Sequence, residues 1–317
     1  MAKVKLNEVE KVEILTLEDN YIDMVALDNS AVVTRAVPVK DMKIINPILA
    51  EHGFSALVTI SSGDKARNMI FDFGFSADVA ARNPDALSID LSGVEVAALS
   101  HGHIDHFGGM RAIMSRIGKK DIEMFLHPVA FRKNRFLEPI PDILVGFPAL
   151  DRDEIRKIGF KIVESSEPRL LLDNILFLGE IPRTTPFEKG LPYAFYNQND
   201  QKIWDPTEDD TGIAFNLKGK GLVILSGCAH SGIVNTVKYA VELTGIDKVH
   251  AVMGGFHLTG PAFEPIIDDT VKAIQGISPD YVIPTHCTGR KACIAFEQAM
   301  PDKFIVNMAG TKLTFAA

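Results

Sequence analysis

The 317-residue sequence predicts an α/β fold in which two facing mixed sheets carry helices on their outer sides. Three observations lead there. The front of the chain is a series of short β-branched and aliphatic runs punctuated by turn residues, and the back alternates strand-like and helix-like segments. A sheet signal is therefore present in each half, and alternation of the second kind implies helices packed on a sheet.

Val12–Leu17, Ala31–Val37, Ala56–Ile60 and Met69–Phe73 read as meandering antiparallel strands, separated by Asp-Asn, Ser-Gly-Asp and Gly. Val94–Leu99 reads as a buried strand, and the apolar spacing from Phe107 to Ile117 is helical, so the polar stretch between them is a strand-to-helix loop. From about 128 to 210 the regularity breaks and prolines gather, which predicts an inserted, lid-like segment. The pattern then resumes with strands at Gly212–Leu217, Leu222–Leu225, Val249–Met253 and Tyr281–Ile283. Helices are expected at Ile233–Leu243, Ile266–Ile277 and Lys291–Met300.

Composition narrows the function. Lys and Arg (33) against Asp and Glu (41) leave a net charge of −8, which argues against a nucleic-acid surface. No run approaches the roughly 20 apolar residues of a membrane span. Three cysteines at irregular spacing and a non-apolar N-terminus lead us to expect a cytoplasmic protein with reduced thiols.

The chemistry concentrates in Ser100-His101-Gly102-His103-Ile104-Asp105-His106-Phe107-Gly108-Gly109. Alternate residues on an extended loop can aim His101 and His103 at one ion, while Asp105 and His106, where the helix begins, can face a second. Asp105 as a simple helix cap would need no histidines around it. Further ligands must come from other strand ends: Ser226-Gly-Cys228-Ala-His230, Gly254-Gly-Phe-His257 and Pro284-Thr-His286-Cys287. His286, His230 and Cys228 are the candidates, with His257 either a ligand or a substrate contact. Cys293 is expected to be packing and Cys287 to neighbour a ligand. His52, His127 and His250 stand alone and are expected to be structural.

The pattern His101-x-His103-x-Asp105-His106, after a strand and before a helix, together with Asp72 in Phe71-Asp-Phe-Gly74, resembles the metallo-β-lactamase superfamily. The resemblance implies an αββα sandwich with up to two metals in a groove at one edge of the sheets, His286 as the final histidine ligand, and Asp105 in the catalytic centre. Gly227-Cys228 stands where a Gly-Asp pair is expected, so Cys228 looks like a cysteine replacing the bridging Asp. The third-histidine loop is missing; His230, Glu180 and His257 are the candidates, in that order, for the first metal's third ligand. The segments Glu51–Ser55, Leu99–His106, Gly179–Arg183, Ser226–His230, Gly255–Leu258 and Pro284–Thr288 are similar to the family named for 7,8-dihydropterin-6-methyl-4-(β-D-ribofuranosyl)-aminobenzene-5′-phosphate synthase.

That resemblance implies condensation of a dihydropterin-methyl diphosphate with an aminobenzene ribofuranosyl phosphate in methanopterin biosynthesis, with release of diphosphate. A binuclear hydrolase of a small phosphoester or lactone-like substrate is the alternative, and a non-catalytic metal- or ligand-binding protein the third. Two divalent ions are expected, zinc first, manganese or iron as alternatives, and magnesium with a diphosphate substrate. The expected partner is a small anionic molecule of pterin type, with no nucleic acid and no membrane. Arg183 and Lys189 could clamp its anionic groups, and Glu180 and His257 could contact it. Phe187, Tyr193, Phe195, Tyr196 and Trp204 could stack a pterin ring or pack a lid. Because the donor residues come from 101–106 and from 228–286, both halves must close on one site. The chain is read as a single domain over 1–317.

Overall fold

The computed structural model describes residues 3–37, 39–44 and 47–317. Strands from the front and the C-terminus form an eight-stranded sheet. Its order runs Phe160–Glu164, Ile122–Leu126, Val94–Ala98, Lys65–Phe71, Ser55–Ser62, Lys11–Glu18, Lys312–Ala316 and Val33–Thr34. The second sheet has seven strands, ordered Arg169–Leu171, Ile175–Phe177, Gly212–Leu217, Gly221–Ser226, Val249–Gly255 and Tyr281–Thr285, with Glu8–Val9 paired to Gly212–Leu217. Each sheet mixes parallel and antiparallel pairs.

The period of two along each strand builds the layers. Val12 and Ile14, Val58 and Ile60, and Met69 and Phe71 point inward to meet Phe215, Val223, Leu225, Ala251 and Met253 from the other sheet. Their neighbours point outward. Leu222, Ile224 and Val252 pack under Val234, Val237, Val271, Ile274 and Phe296 of the helices Ile233–Thr244, Ile267–Ile277 and Arg290–Ala299. On the opposite side, Ile70, Ala97 and Leu99 are covered by Met110, Ile113, Met114 and Ile117 of helix Met110–Ile117. Strands apolar on both faces read as continuous hydrophobic runs because each is sandwiched between a partner sheet and helices. The order of layers is helix, sheet, sheet, helix, the αββα sandwich expected.

Several elements differ from expectation. Of Ala31–Val37 only Val33–Thr34 pairs, and it does so with the C-terminal strand Lys312–Ala316, which lies 278 or more residues away in sequence and whose pattern was too short to stand out. Val94–Ala98 joins its neighbours in parallel, so the front is not a pure meander. Helix Ala77–Ala86 is an element the sequence pattern conceals, because Pro84 inside it breaks the helical signal.

The segment 128–210 is not one inserted lid. Phe160–Glu164 extends the eight-stranded sheet beside Ile122–Leu126, and Arg169–Leu171 and Ile175–Phe177 extend the other. Only Arg135–Ile140, Ile143–Gly146, Ala194–Gln198 and Gln201–Trp204 form a separate four-stranded sheet. Proline density marked the loops around those strands and hid the short apolar runs between them.

Candidate metal centre

The strands end on one rim of the sandwich, and the loops leaving them carry the donor residues. His101 and His103 follow strand Val94–Ala98, Cys228 and His230 follow Gly221–Ser226, and His286 follows Tyr281–Thr285. Close backbone contact sets the first loop: a Cβ on Gly102 would stand 2.3 Å from the carbonyl oxygen of Ala130, so only glycine fits there. The Gly102 amide donates to Asp209 Oδ2 at 2.8 Å, and Thr211 donates its amide to the Ser100 carbonyl. Asp209 is itself held by the buried Arg135 through both guanidinium nitrogens.

Two donor groups result. In the first, His101 Nε2 lies 3.0 Å from His103 Nδ1, and His230 Nε2 lies 3.1 and 3.2 Å from those same atoms. Three neutral imidazoles facing one point cannot all be satisfied by one another's protons. Nitrogens bound at ~2.0–2.1 Å to a tetrahedral ion sit about 3.4 Å apart, so a small divalent ion suits this triangle. Burial, with neighbouring imidazoles or Arg135, lowers all three histidines, His103 to about 4, which keeps them in the neutral form that ligates.

The second group is Asp105, His106, Cys228 and His286. His106 Nε2 is 3.1 Å from Cys228 Sγ, and His286 Nε2, buried without a hydrogen-bond partner among the described residues, lies 3.3 Å from Asp105 Oδ2. Burial would raise the Asp105 carboxyl, but His106 and the neighbouring His286 outweigh it and hold it well below the carboxylate range. Cys228 also belongs with His101 and His230, so its sulfur is common to both groups. Burial and the adjacent Cys287 push its thiol well above the ordinary range; a bound cation would reverse that.

The donors are oriented from behind. Asp72 binds His106 Nδ1, Ser100 Oγ meets His101 Nδ1 at 2.9 Å, and Asn20 Oδ1 meets His286 Nδ1 at 3.1 Å. Asp19 accepts the His286 amide and the side-chain amide of Asn307, fixing the left-handed turn at His286 (φ 49°). These outer contacts fix which nitrogen each ring presents.

The other candidates separate. Of His230, Glu180 and His257, the structure brings His230 into the first triangle. Glu180 is turned out to solvent, its side chain 56% exposed, 3.7 Å from His127 Nε2. His257 packs its ring 4.5 Å from that of His230 and shares a third group with Cys228 and Cys287. Arg183 donates to the Pro206 carbonyl and lies behind Gly190, where a Cβ would stand 3.5 Å from its Nε and Nη2.

His52, expected to be structural, sits at the rim, and so does Phe147, which no sequence pattern singled out. His52 stacks 4.9 Å from His286 with Nε2 3.7 Å from Asp105 Oδ2, and Phe147 lies flat on His103 at 4.5 Å. Nothing in the spacing around His52 marks it for the site, because Asp105 and His286, the site residues it meets, are 53 and 234 residues distant. Its place in Glu51–Ser55, one of the segments carrying the family resemblance, was the available signal. His250, by contrast, is paired to Asp280 away from the site.

A cavity of about 330 Å³ adjoins the centre, lined by His230, His257, Phe187, Phe256, Phe263 and Lys189 among others. Of the five aromatic residues expected to stack a ring, only Phe187 lines it. Trp204 donates to the Leu191 carbonyl, Phe195 packs on Phe136, and Tyr196 lies under Arg132.

Comparison with known proteins agrees with this architecture. Residues 50–240 match the family model described as the metallo-beta-lactamase superfamily. The chain is 34% identical, over 85% of its length and 92% of the relative's, to the 7,8-dihydropterin-6-methyl-4-(beta-D-ribofuranosyl)-aminobenzene-5'-phosphate synthase of Methanocaldococcus jannaschii. A crystal structure of Tm1679, described as a metal-dependent hydrolase of the beta-lactamase superfamily, is 25% identical with TM-score 0.71, covering 96% of this chain and 100% of that one. Zn(2+)-bound PqqB from Methylobacterium extorquens, 12% identical with TM-score 0.50 over 96% of this chain and all of that one, shares the fold. No helix among the described residues is long and apolar enough to cross a membrane. With a family match across more than half its length and 34% identity to that synthase across 85% of the chain, this chain belongs to the metallo-β-lactamase superfamily, in its dihydropterin-methyl-aminobenzene phosphate synthase-like group.

Proposed function

We propose that the protein is a metal-dependent transferase that joins a dihydropterin-methyl diphosphate to a ribofuranosyl-aminobenzene phosphate. The observation that carries this is the pair of donor groups sharing Cys228, in a chain so similar to a synthase named for that product. His101, His103 and His230 would hold one divalent ion, Asp105, His106 and His286 the other, with Cys228 between them. Two such ions supply Lewis-acid stabilisation of the charge that develops on a leaving diphosphate.

The chain's own residues do the rest. The arylamine nitrogen forms its bond to the pterin methylene carbon as the carbon–oxygen bond breaks; diphosphate departs with the electron pair and the amine proton passes to water. Holding the two substrates in line supplies much of the rate. Lys189, exposed at the rim of the cavity, offers positive charge to phosphate groups that lie outside it, and Arg183, behind Gly190, adds to that charge. His257, beside His230, contacts the substrate rather than completing the first triangle.

The similarity to Tm1679, described as a hydrolase, favours a second reading in which water replaces the amine. The test is diphosphate release from the metal-loaded protein. The transferase reading expects release only when both substrates are present. Turnover of a simple phosphodiester or of the pterin diphosphate alone, at a rate the arylamine does not change, would establish the hydrolase instead.

A further inference from the structure

We infer that the cavity beside His230 and His257 is the seat of the pterin ring, with Phe263 and Phe187 as its aromatic contacts and the His257 ring as a polar contact to the ring edge. The identification of the ligand rests on the condensation reading above; the slot itself rests on geometry alone.

The cavity has two walls. One is the loop from Pro186 to Pro192, which supplies Phe187, Lys189 and Gly190. Its carboxylate Glu188 is buried and accepts the amides of Val234 and Asn235 at 2.9 and 2.8 Å and the Thr185 hydroxyl at 2.8 Å. The Asn235 side chain in turn accepts the amides of Thr184 and Thr185. This wall is therefore pinned to the start of helix Ile233–Thr244 before any ligand arrives, which lowers the ordering cost of binding. The other wall comes from the turn after Val249–Gly255: Phe256, His257, Leu258, Ala262 and Phe263. Phe263 stands edge-on to the His257 ring at 4.8 Å and to Tyr193 at 6.4 Å, so its ring is held in place.

Three features select a flat, weakly charged heteroaromatic ring. The lining is dominated by aromatic and aliphatic carbon, which suits a ring face. At about 330 Å³ the space is at the small end for ligand sites, so it accommodates one ring system and leaves the rest of each substrate outside. The His257 ring lines the slot, held there by a left-handed backbone turn at φ 44°. An imidazole carries one donor and one acceptor nitrogen when neutral, and a pterin edge offers both N–H donors and ring-nitrogen acceptors to meet it. Contiguity decides between the two substrates. His230 belongs both to the cavity lining and to the first donor triangle. A ring seated there places its 6-methylene, and the diphosphate beyond it, over the metal groups.

The test uses 6-hydroxymethylpterin, a fluorescent ring that lacks the diphosphate and so does not depend on turnover. It is titrated into the metal-loaded full chain, and into the variants Phe263→Ala, Phe187→Ala and Ala262→Trp. Ala262 is an exposed rim residue, so a tryptophan there fills the slot without removing a core contact. The expected result is saturable binding weakened about tenfold or more in each variant, with metal content unchanged in all three and melting temperature unchanged in Ala262→Trp; Phe187 also packs against the core under the outer helices, so its truncation lowers melting temperature without touching the metal groups. The aminobenzene ribofuranosyl phosphate should bind all four proteins alike. Pterin binding that is absent, or indifferent to all three substitutions, would overturn the assignment. So would a loss confined to the aminobenzene ligand. If the pterin behaves as expected but no diphosphate is ever released, the binding site stands and the transferase reading falls.

Discussion

Asp72 and His106, 34 residues apart, form an ion pair with Oδ2 2.7 Å from Nδ1, and neither side chain is exposed to solvent. Asp72 ends its strand in a left-handed turn (φ 59°), and its two oxygens also accept the Ser100 amide and hydroxyl at 2.7 Å. One carboxylate thus orients His106 and the start of the histidine loop together. Changing Asp72 to Asn should lower metal affinity about 10- to 100-fold. Competition against a chromophoric chelator measures this, and an unchanged affinity would show that Asp72 serves folding alone.

His103→Ala removes one corner of the first triangle. Metal content should fall and activity should vanish, while circular dichroism stays that of the parent, because the ring lies at the rim and not in the sandwich core. Full activity in the metal-stripped variant would refute the binuclear reading.

The shared sulfur makes a spectroscopic prediction. Cobalt-loaded protein should show thiolate-to-cobalt charge transfer in the near ultraviolet, and Cys228→Ser should abolish it. Cys228→Asp should lose the band yet keep two ions, since a carboxylate can also bridge. Persistence of the band in Cys228→Ser would move the coordinating sulfur to Cys287, the other thiol of the third group.

Asp209 tests the support of the loop. Its carboxylate is buried, pairs with Arg135 and accepts the Gly102 amide. Burial would raise it, but Arg135 outweighs that and holds it well below the usual carboxylate range. Asp209→Ala leaves a buried guanidinium short of a partner and should cost about 3–5 kcal/mol in denaturant unfolding. A loss under 1 kcal/mol would mean that Asp205, also on Arg135, suffices.

Glu18 predicts a pH dependence. Burial pushes its carboxyl up to about 8 from 4.5, despite a hydrogen bond from the Phe75 amide. The folded state therefore holds a proton that the unfolded state releases, so this contribution is complete below about 4.5 and is lost as pH rises to about 8. In metal-free protein, Glu18→Gln should match the parent near pH 5 and exceed it in melting temperature at pH 9. Parallel melting curves at every pH would show that Glu18 stays ionised.

Local pattern determined much of this protein. Alternating and continuous apolar runs located the inner strands, helical spacing located most of the outer helices, and the spacing of His101, His103, Asp105 and His106 marked the donor loop, because each of these signals lies within a few residues of itself. Tertiary structure decided the rest. Which of His230, Glu180 and His257 joins His101 and His103 depends on how two loops 129 residues apart meet. It also depends on the turn that sends Glu180 to solvent. The division of 128–210 between a small separate sheet and the edges of both large sheets is a matter of strand pairing, which proline content does not encode. His52 and Phe263 likewise acquired meaning only from neighbours that folding brought to them, since burial and convergence are properties of the assembled sandwich and not of any short segment.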